Sequence, residues 1–431
     1  MNRPEHKLQN PTFIPRSAHS LSRKKISKNA LKVLYRLRKN GYDAYLVGGC
    51  VRDLLLGREP KDFDIATNAK PNEINKIFRN GRMIGKRFTL CHILFKNEII
   101  EVSTFRSLNH HHEQKLTQSE QGIILEDNVY GSINEDAMRR DFTINAFYYN
   151  IDGFEIVDFH QGLADLRSGI LRVIGDPESR YREDPVRVLR AVRLATKLGF
   201  RIETVSEQAI ATCKHLLDHI SPARLFTETM KIFMQGMALE QYKQLRHYEL
   251  FRFLFPLTAS VLEQKTFKSI DQFLSNALND SDERIRQGKT VTPAFLIAAF
   301  LWYPLQQAMH EYETSGMARF EAFYNAANEI FKQQNQVVAV PNFFIAIIRA
   351  IWELQIHLEN RKRQKCIGLV FHPRFRAGFD FLLLRSRIDA NLKPLADWWH
   401  DFYHADRKQR LTMLNKIKNK SKKRRKKVKT T

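Results

Sequence analysis

The sequence predicts an α+β head, a small mixed sheet with helices, followed by all-helical neck and body domains. Three observations predict it. Short apolar runs of strand type alternate with helical patterns and glycine turns as far as about Gly175. From there to Tyr403 almost every segment carries the 3.6-residue helical period. At 431 residues the chain exceeds one comfortable core. The expected divisions are a flexible basic arm over 1–27, the head over 28–175, the neck over 176–236, the body over 237–405 and a disordered basic tail over 406–431.

The elements follow in order. "KNALKVLYRLRKNG" predicts a helix with Leu31, Leu34, Tyr35 and Leu37 as its apolar stripe and Gly41 as its stop. "AYLVGG" predicts a strand that breaks at Gly48 and Gly49, and "CVRDLLLG" a short helix closed by Gly57. "FDIAT" is the next strand, and Pro71 opens another helix. Strands return in "HILFK" and "EIIEVSTF", the latter placing Glu101 on one face with Ile99, Ser103 and Phe105. The polar segment Ser107–Asp127 reads as a mobile loop. Ser132 and Glu135 form a capping box for a helix reaching Arg139–Arg140. "FYYNIDGFEIVDF" predicts a hairpin turning at Asp152-Gly153. Asp184-Pro185, Ser221-Pro222 and Thr292-Pro293 each mark a helix start.

Composition narrows the function classes. Seventy Lys and Arg against 46 Asp and Glu give a formal net charge of +24, which calls for a polyanionic partner, nucleic acid or an acidic membrane. Ten Lys or Arg and no acid occur from Lys416 onward, a block that repels itself. The four cysteines are scattered with no CxxC pair, which argues against a zinc site or a disulfide framework and for a reducing compartment. No apolar signal segment opens the chain, and the apolar run Ala294–Tyr303 is about half a bilayer span. It reads as a buried core helix.

Asp62 and Asp64 flank Phe63 on a predicted strand, so both carboxylates point to one side. Unpaired they repel; a divalent cation between them resolves the conflict. A polar strand end is the ordinary alternative. Gly48-Gly49 end a strand and open a helix, where backbone amides can meet a phosphate, with Arg52 one turn on; a plain tight turn gives the same pattern. Glu101 is either a third carboxylate or a solvated edge residue. Arg140, Asp141 and Asn145 in "RRDFTINAF" offer hydrogen bonds to a sugar or base edge, Asp141 and Asn145 sharing a helix face at i, i+4, or simply a polar helix surface. In "REDPVRVLRAVR", Asp184, Arg187 and Arg190 form either a base-reading wall or a solvated basic face. His110–His112 have no carboxylate or cysteine at ligand spacing, so a metal role is rejected.

The ordered set "LVGGCVRDLLLG", "KDFDIAT", "EVSTFR", "RRDFTINA" and "REDPVRVLRAVRLATKLGF" resembles the nucleotidyltransferase branch that holds bacterial CCA-adding enzymes and bacterial poly(A) polymerases, from Leu31 to about Met234. "MIGKRFTLCHILF", with Gly85, Lys86, Arg87, Phe88 and His92, looks like the poly(A) polymerase form. "TPAFLIAAFLWYPL", "HPRFRAGFDFLLLR" and the basic tail extend that likeness over most of the chain, although this tail leans to lysine where the family is rich in arginine. The resemblance implies a nucleotidyltransferase head with helical neck and body, adding AMP from ATP to RNA 3′ ends without a template. It implies catalytic Mg²⁺, two ions, on Asp62 and Asp64, with Asp141 a further active-site acid and Glu101 a fourth by position. Gly48, Gly49 and Arg52 would hold the triphosphate, and Arg140, Asp141, Asn145, Asp184, Arg187 and Arg190 the incoming ATP. The implied setting is cytoplasmic, with RNA and no DNA as partner, an RNA-decay complex open, and a monomer expected. The nearest alternative is a CCA-adding enzyme, and a catalytically silent RNA-binding protein stands further off.

Overall fold

The computed structural model describes residues 10–85, 89–108, 129–264, 267–359, 361 and 363–428. His110–His112, most of the Ser107–Asp127 loop, and Lys86, Arg87 and Phe88 lie outside the described residues. Two units are present, Met1–Leu217 and Asp218–Thr431.

The first unit is built on an eight-stranded mixed sheet. Its strands are β1 (Thr12–Ile14), β2 (Ala44–Val47), β3 (Phe63–Thr67), β4 (Gly81–Ile84), β5 (Leu90–Leu94), β6 (Ile99–Thr104), β7 (Phe147–Asn150) and β8 (Ile156–Asp158). They lie in the order β1-β8-β7-β2-β3-β6-β5-β4, with β3 and β6 parallel and the other neighbours antiparallel. A separate two-stranded parallel pair joins β9 (Ile170–Leu171) to β10 (Arg201–Ile202). Helices α1 (Lys28–Lys39) and α3 (Pro71–Ile77) cover one face, where Ala44, Leu46, Ile65, Ile93, Ile100 and Val102 are fully buried. Each of the larger aliphatics, Leu, Ile and Val, contributes roughly 1.5–3 kcal/mol by leaving water. Between those helices in sequence lies α2 (Gly49–Leu55). On the opposite face, α4 (Ile133–Arg139) closes a cluster of Val47, Ala66, Phe105, Ala137, Tyr148, Val157 and Phe159. That cluster lies mainly over β2, β7 and β8, with Ala66 of β3 and Phe105, just past the end of β6, at its margin.

Register aligns one row across the sheet: Val157, Tyr148, Val47, Asp64, Glu101, His92 and Arg82. In-register neighbours share a face. The row therefore begins in the covered cluster and emerges on the uncovered part of that face at Asp64.

Several expectations change. The 1–27 segment is not a loose arm where described: β1 pairs with β8, and Leu21 and Ile26 are buried. The α1 stripe is rotated, with Ala30, Val33, Leu34 and Leu37 inside and Tyr35 42% exposed, its hydroxyl accepting from Arg23. A phenol tolerates that exposure because its hydroxyl is solvated. The β7–β8 hairpin is present, but its strands stop at Asn150 and restart at Ile156, a longer loop than a two-residue turn. Strand pairing also continues past Gly175, in β10.

After β8 come α5 (Gly162–Ser168), α6 (Pro177–Glu183), α7 (Val186–Leu198) and α8 (Thr204–Cys213). The second unit is helical throughout its described residues: α9 (Pro222–Phe233), α10 (Ala238–His247), α11 (Pro256–Leu262), α12 (Phe267–Arg286), α13 (Pro293–Phe300), α14 (Trp302–Thr314), α15 (Arg319–Val337), α16 (Asn342–Glu359), α17 (Arg363–Val370), α18 (Phe375–Ser386), α19 (Lys393–His404) and α20 (Arg407–Val428). The apolar run becomes α13, buried from Leu296 to Phe300. Among the described residues no helix is long and apolar enough to cross a membrane. Where disorder was expected in the tail, α20 runs to Val428. Lys and Arg are good helix formers. Leu414 sits in a cluster with Phe379, Trp399 and Phe402, and Arg410 donates to the Phe402 and Tyr403 carbonyls at the end of α19.

Gly162 opens α5 against the turn that carries the "RRDFTINA" motif. A Cβ there would lie 2.4 Å from the Thr143 carbonyl oxygen. Gly162→Ala should cost about 1–3 kcal/mol of stability, measurable as a lower denaturation midpoint; an unchanged midpoint would show that the turn yields freely.

Candidate active site

The site is built from four local devices. The first is the β3 register. Phe63 and Ile65 are buried toward α1, so Asp62 and Asp64 turn to the other side. Asp62 is exposed and Asp64 half-buried. Parallel pairing with β6 sets Glu101 beside Asp64, and antiparallel pairing sets His92 beside Glu101, Nε2 to Oε2 3.5 Å. The three carboxylates of the sequence reading are thus brought to one side, except that Glu101 is shared with a histidine. Burial, then the facing Glu101, push the Asp64 carboxyl up to about 7; Arg140 opposes them and Asp62 adds to them. Cys50, on α2, is buried beside Asp64, and burial first and that carboxylate second push its thiol up to about 12.

The second device is the glycine turn. Gly48 caps α2 at φ +74°, a left-handed conformation that glycine adopts without strain. A Cβ on Gly48 would stand 3.4 Å from Arg140 Nη1, and one on Gly49 3.4 Å from Arg52 Nη2. A Cβ at either place would only touch these guanidinium groups, so what the distances show is that both arginines lie directly beside the turn. Arg52, expected beside the phosphates at the turn, is 5% exposed and held by Asp53 (Nε 2.8 Å, Nη2 2.6 Å) and by Asn145 Oδ1 at 2.6 Å. It presents its charge to the turn from a fixed position.

The third device fixes Arg140. Its Nε donates to the Tyr148 hydroxyl at 2.8 Å and its Nη2 to Asp136 at 3.0 Å, while the Tyr148 hydroxyl donates to Asp136 at 2.6 Å. The guanidinium also lies over the Tyr148 ring at 4.8 Å. Burial would raise the Asp136 carboxyl, but Arg140 and Arg106 outweigh it and hold it below its ordinary value. Neither Asp136 nor Tyr148 was singled out from the sequence. The one available signal was an acid four residues before Arg140 on a capped helix.

The fourth device joins the two late motifs. Asp141 and Asn145 were expected on one α-helix; α4 ends at Arg139 and Thr143–Asn145 is a single 3-10 turn. They still meet, with Asn145 Nδ2 donating to Asp141 Oδ1 at 3.1 Å. Asp141 Oδ2 accepts from Arg190 Nε at 2.9 Å and also from its Nη2. Burial favours the neutral acid, but Arg190 outweighs it and holds the carboxyl well below the carboxylate range. Asp141 is thus an ion-pair anchor rather than a neighbour in the carboxylate row. Arg180 Nη2 donates to the carbonyls of Arg139 (2.6 Å) and Arg140 (2.9 Å), a second tie. Asp184 closes α6 and Pro185 precedes the first residue of α7, with the Arg187 amide donating to the Asp184 carbonyl at 2.9 Å. Arg187 donates to the Arg180 carbonyl at 2.7 Å and to Glu183 at 3.2 Å.

Asp62 and Asp64 are hard oxygen donors on an open face, and the raised Asp64 carboxyl marks charge that a divalent cation would relieve. Among the described residues no group of three or more His, Cys, Asp or Glu is arranged to hold a metal alone.

Comparison with known proteins places these motifs. A family model described as the Poly A polymerase head domain matches residues 44–172. One described as the probable RNA and SrmB-binding site of polymerase A matches 199–262, and one described as the polymerase A arginine-rich C-terminus matches 315–431. Poly(A) polymerase I of Salmonella typhi is 46% identical over 412 residues, 94% of this chain and 89% of its own. The chain belongs to the bacterial poly(A) polymerase family. The CCA-adding enzyme of Bacillus velezensis is a more distant relative, 36% identical over 212 residues, 49% of this chain and 51% of its own. The crystal structure of the Bacillus stearothermophilus CCA-adding enzyme in complex with CTP matches with a TM-score of 0.57 at 26% identity, over 86% of this chain and 80% of that one. Poly(A) polymerases and CCA-adding enzymes thus share the architecture, while the extended sequence match is to the former.

Asp64 yields a pH test. An unfolded Asp titrates at about 4, while burial and then Glu101 push this carboxyl up to about 7 in the fold. Ionised Asp64 therefore costs stability that accumulates between those values and persists above them. In metal-free buffer, Asp64→Asn should raise the melting temperature at pH 8 and change it far less near pH 4. An equal change at both pH values would contradict the assignment.

Proposed function

We propose that this chain is a template-independent polynucleotide adenylyltransferase that transfers AMP from ATP to the 3′ ends of RNA. The observation that carries the chemistry is the open Asp62–Asp64–Glu101 group beside a two-glycine turn flanked by Arg52 and Arg140. The match to poly(A) polymerase I over 94% of the chain supports ATP as the nucleotide.

In this reading the RNA 3′-hydroxyl oxygen bonds to the α-phosphorus of ATP. The bond from that phosphorus to the α,β-bridging oxygen breaks, and pyrophosphate leaves. Asp62 and Asp64 would hold Mg²⁺, which supplies charge neutralisation on the triphosphate and a lower pKa for the attacking hydroxyl. Gly48 and Gly49 let the triphosphate approach the backbone, with Arg52 and Arg140 balancing its charge. Glu101 lies beside Asp64, in place to take the departing hydroxyl proton. Asp141 and Asn145 fix Arg190 and Arg52, so that Arg190, Arg187 and Asp184 line the approach of the adenosine. Such preorganisation selects a nucleotide by protein side chains alone.

The finer division into head (28–175), neck (176–236), body (237–405) and basic tail (406–431) belongs to the same proposal, the tail holding the RNA backbone irrespective of sequence. The four unpaired, buried cysteines support a reducing cytoplasmic setting. We place the enzyme there as a monomer open to RNA-decay machinery. CCA addition to tRNA ends is a second reading, favoured by the half-length likeness to CCA-adding enzymes.

A gel assay with an unstructured RNA and each nucleotide offered alone should give long tails from ATP; CTP incorporation and a stop after a short addition would favour the second reading. Asp62→Ala and Asp64→Ala should each lower adenylate addition by at least about a hundredfold while RNA binding survives. Joint loss of binding would point to misfolding instead. Removing the residues from Lys416 onward should weaken RNA binding and flatten its log–log salt dependence by roughly 0.7 per lost phosphate contact. An unchanged slope would exclude the tail as an RNA arm.

A further inference from the structure

The row through the carboxylates continues past Glu101, and its last two places are basic: His92 on β5 and Arg82 on β4. Strands stand about 4.8 Å apart, so the Arg82 backbone lies roughly 10 Å beyond that of Glu101 along the row. The face around them is open. Arg82 is exposed, His92 is half-buried, and Ile99 and Ile84 on the same side are 50% and 39% exposed. The other side of the same strands is sealed by Ile93, Ile100 and Val102. Ile99, opposite Leu94, lies one place to one side of this row and Ile84, opposite Leu90, one place to the other, so an arginine and a histidine stand between two exposed apolar positions, which suits an anionic group with apolar surface flanking it.

The order of the row says which ligand. At the β2 end, Val47 leads directly into Gly48-Gly49, the triphosphate cradle. At the β4 end stand His92 and Arg82. The carboxylates lie between, which is where two substrates arriving from opposite sides would meet. Resting on the adenylyl-transfer reading, we propose that the outer face of β6, β5 and β4 seats the 3′-terminal nucleotide of the RNA acceptor, with Arg82 and His92 on its phosphate. A flanking isoleucine, Ile84 or Ile99, supports its ribose and base, and its 3′-hydroxyl points along the row toward Glu101 and Asp64. The contacts are to backbone and apolar surface, so they hold any sequence.

The test is steady-state kinetics on the full chain with an unstructured RNA oligonucleotide. RNA is varied at saturating ATP, then ATP at saturating RNA. Arg82→Ala should raise KM for RNA about tenfold and leave KM for ATP within about twofold, and Arg82→Lys should recover most of the loss. An RNA carrying 4-thiouridine at its 3′ terminus should crosslink to β4, β5 or β6 of the wild type. A raised KM for ATP with an unchanged KM for RNA would overturn the proposal, as would no change in either or a crosslink elsewhere. The crosslink decides the matter even if Arg82→Ala fails to fold. Wild-type protein that extends no RNA would defeat the adenylyl-transfer reading itself, an outcome separate from a variant that leaves KM for RNA untouched.

Discussion

Asp64 and Glu101 stand side by side because β3 and β6 pair in parallel with no slip in register. A one-residue slip would turn one of them into the apolar layer under α1 and α3. The arrangement works against folding: two carboxylates share one face, and burial and the facing Glu101 push the Asp64 carboxyl to about 7. The fold sustains it because Phe63, Ile65, Ile100 and Val102 on the reverse of the same strands are packed and cannot rotate outward. Apolar burial thus enforces an electrostatic conflict whose natural relief is a bound cation.

Around that conflict the sheet distributes charge in order. The glycine turn follows β2, the acids occupy β3 and β6, and the histidine and arginine occupy β5 and β4. Arg140 is the counterweight on the glycine side, and its place depends on Asp136 and Tyr148 beneath it. The Asp141–Arg190 pair and the Arg180 hydrogen bonds then bind α6 and α7 to the "RRDFTINA" turn. The late helical motif thus lies within the first unit, which runs to Leu217.

Much of this was legible in the chain. Asp62 and Asp64 straddle a phenylalanine, and period-two alternation alone puts them on one face. Gly48-Gly49 announced a break after "AYLV", and the Ser132–Glu135 box announced α4. What could not be read depends on long-range pairing. That Glu101 meets both Asp64 and His92 follows from register between strands some 40 residues or fewer apart, and local pattern does not encode register. Asp141 and Asn145 have helical spacing, yet a 3-10 turn brings them together. That Arg52 is fixed beside the turn by Asp53 and Asn145 depends on a partner 93 residues away in the chain. Thr12–Ile14 is too short to announce itself; it forms a strand because β8 offers it an edge.

The central claim is that the β3 acids grip a divalent cation over a nucleoside triphosphate. The most direct measurement is a crystal of the full chain grown with a non-hydrolysable ATP analogue and Mn²⁺, examined by anomalous scattering. The account predicts a manganese peak within about 2–2.3 Å of carboxylate oxygens of both Asp62 and Asp64, with analogue phosphates in the same shell. A nucleotide bound elsewhere, or one bound with no metal between those two side chains, would contradict it.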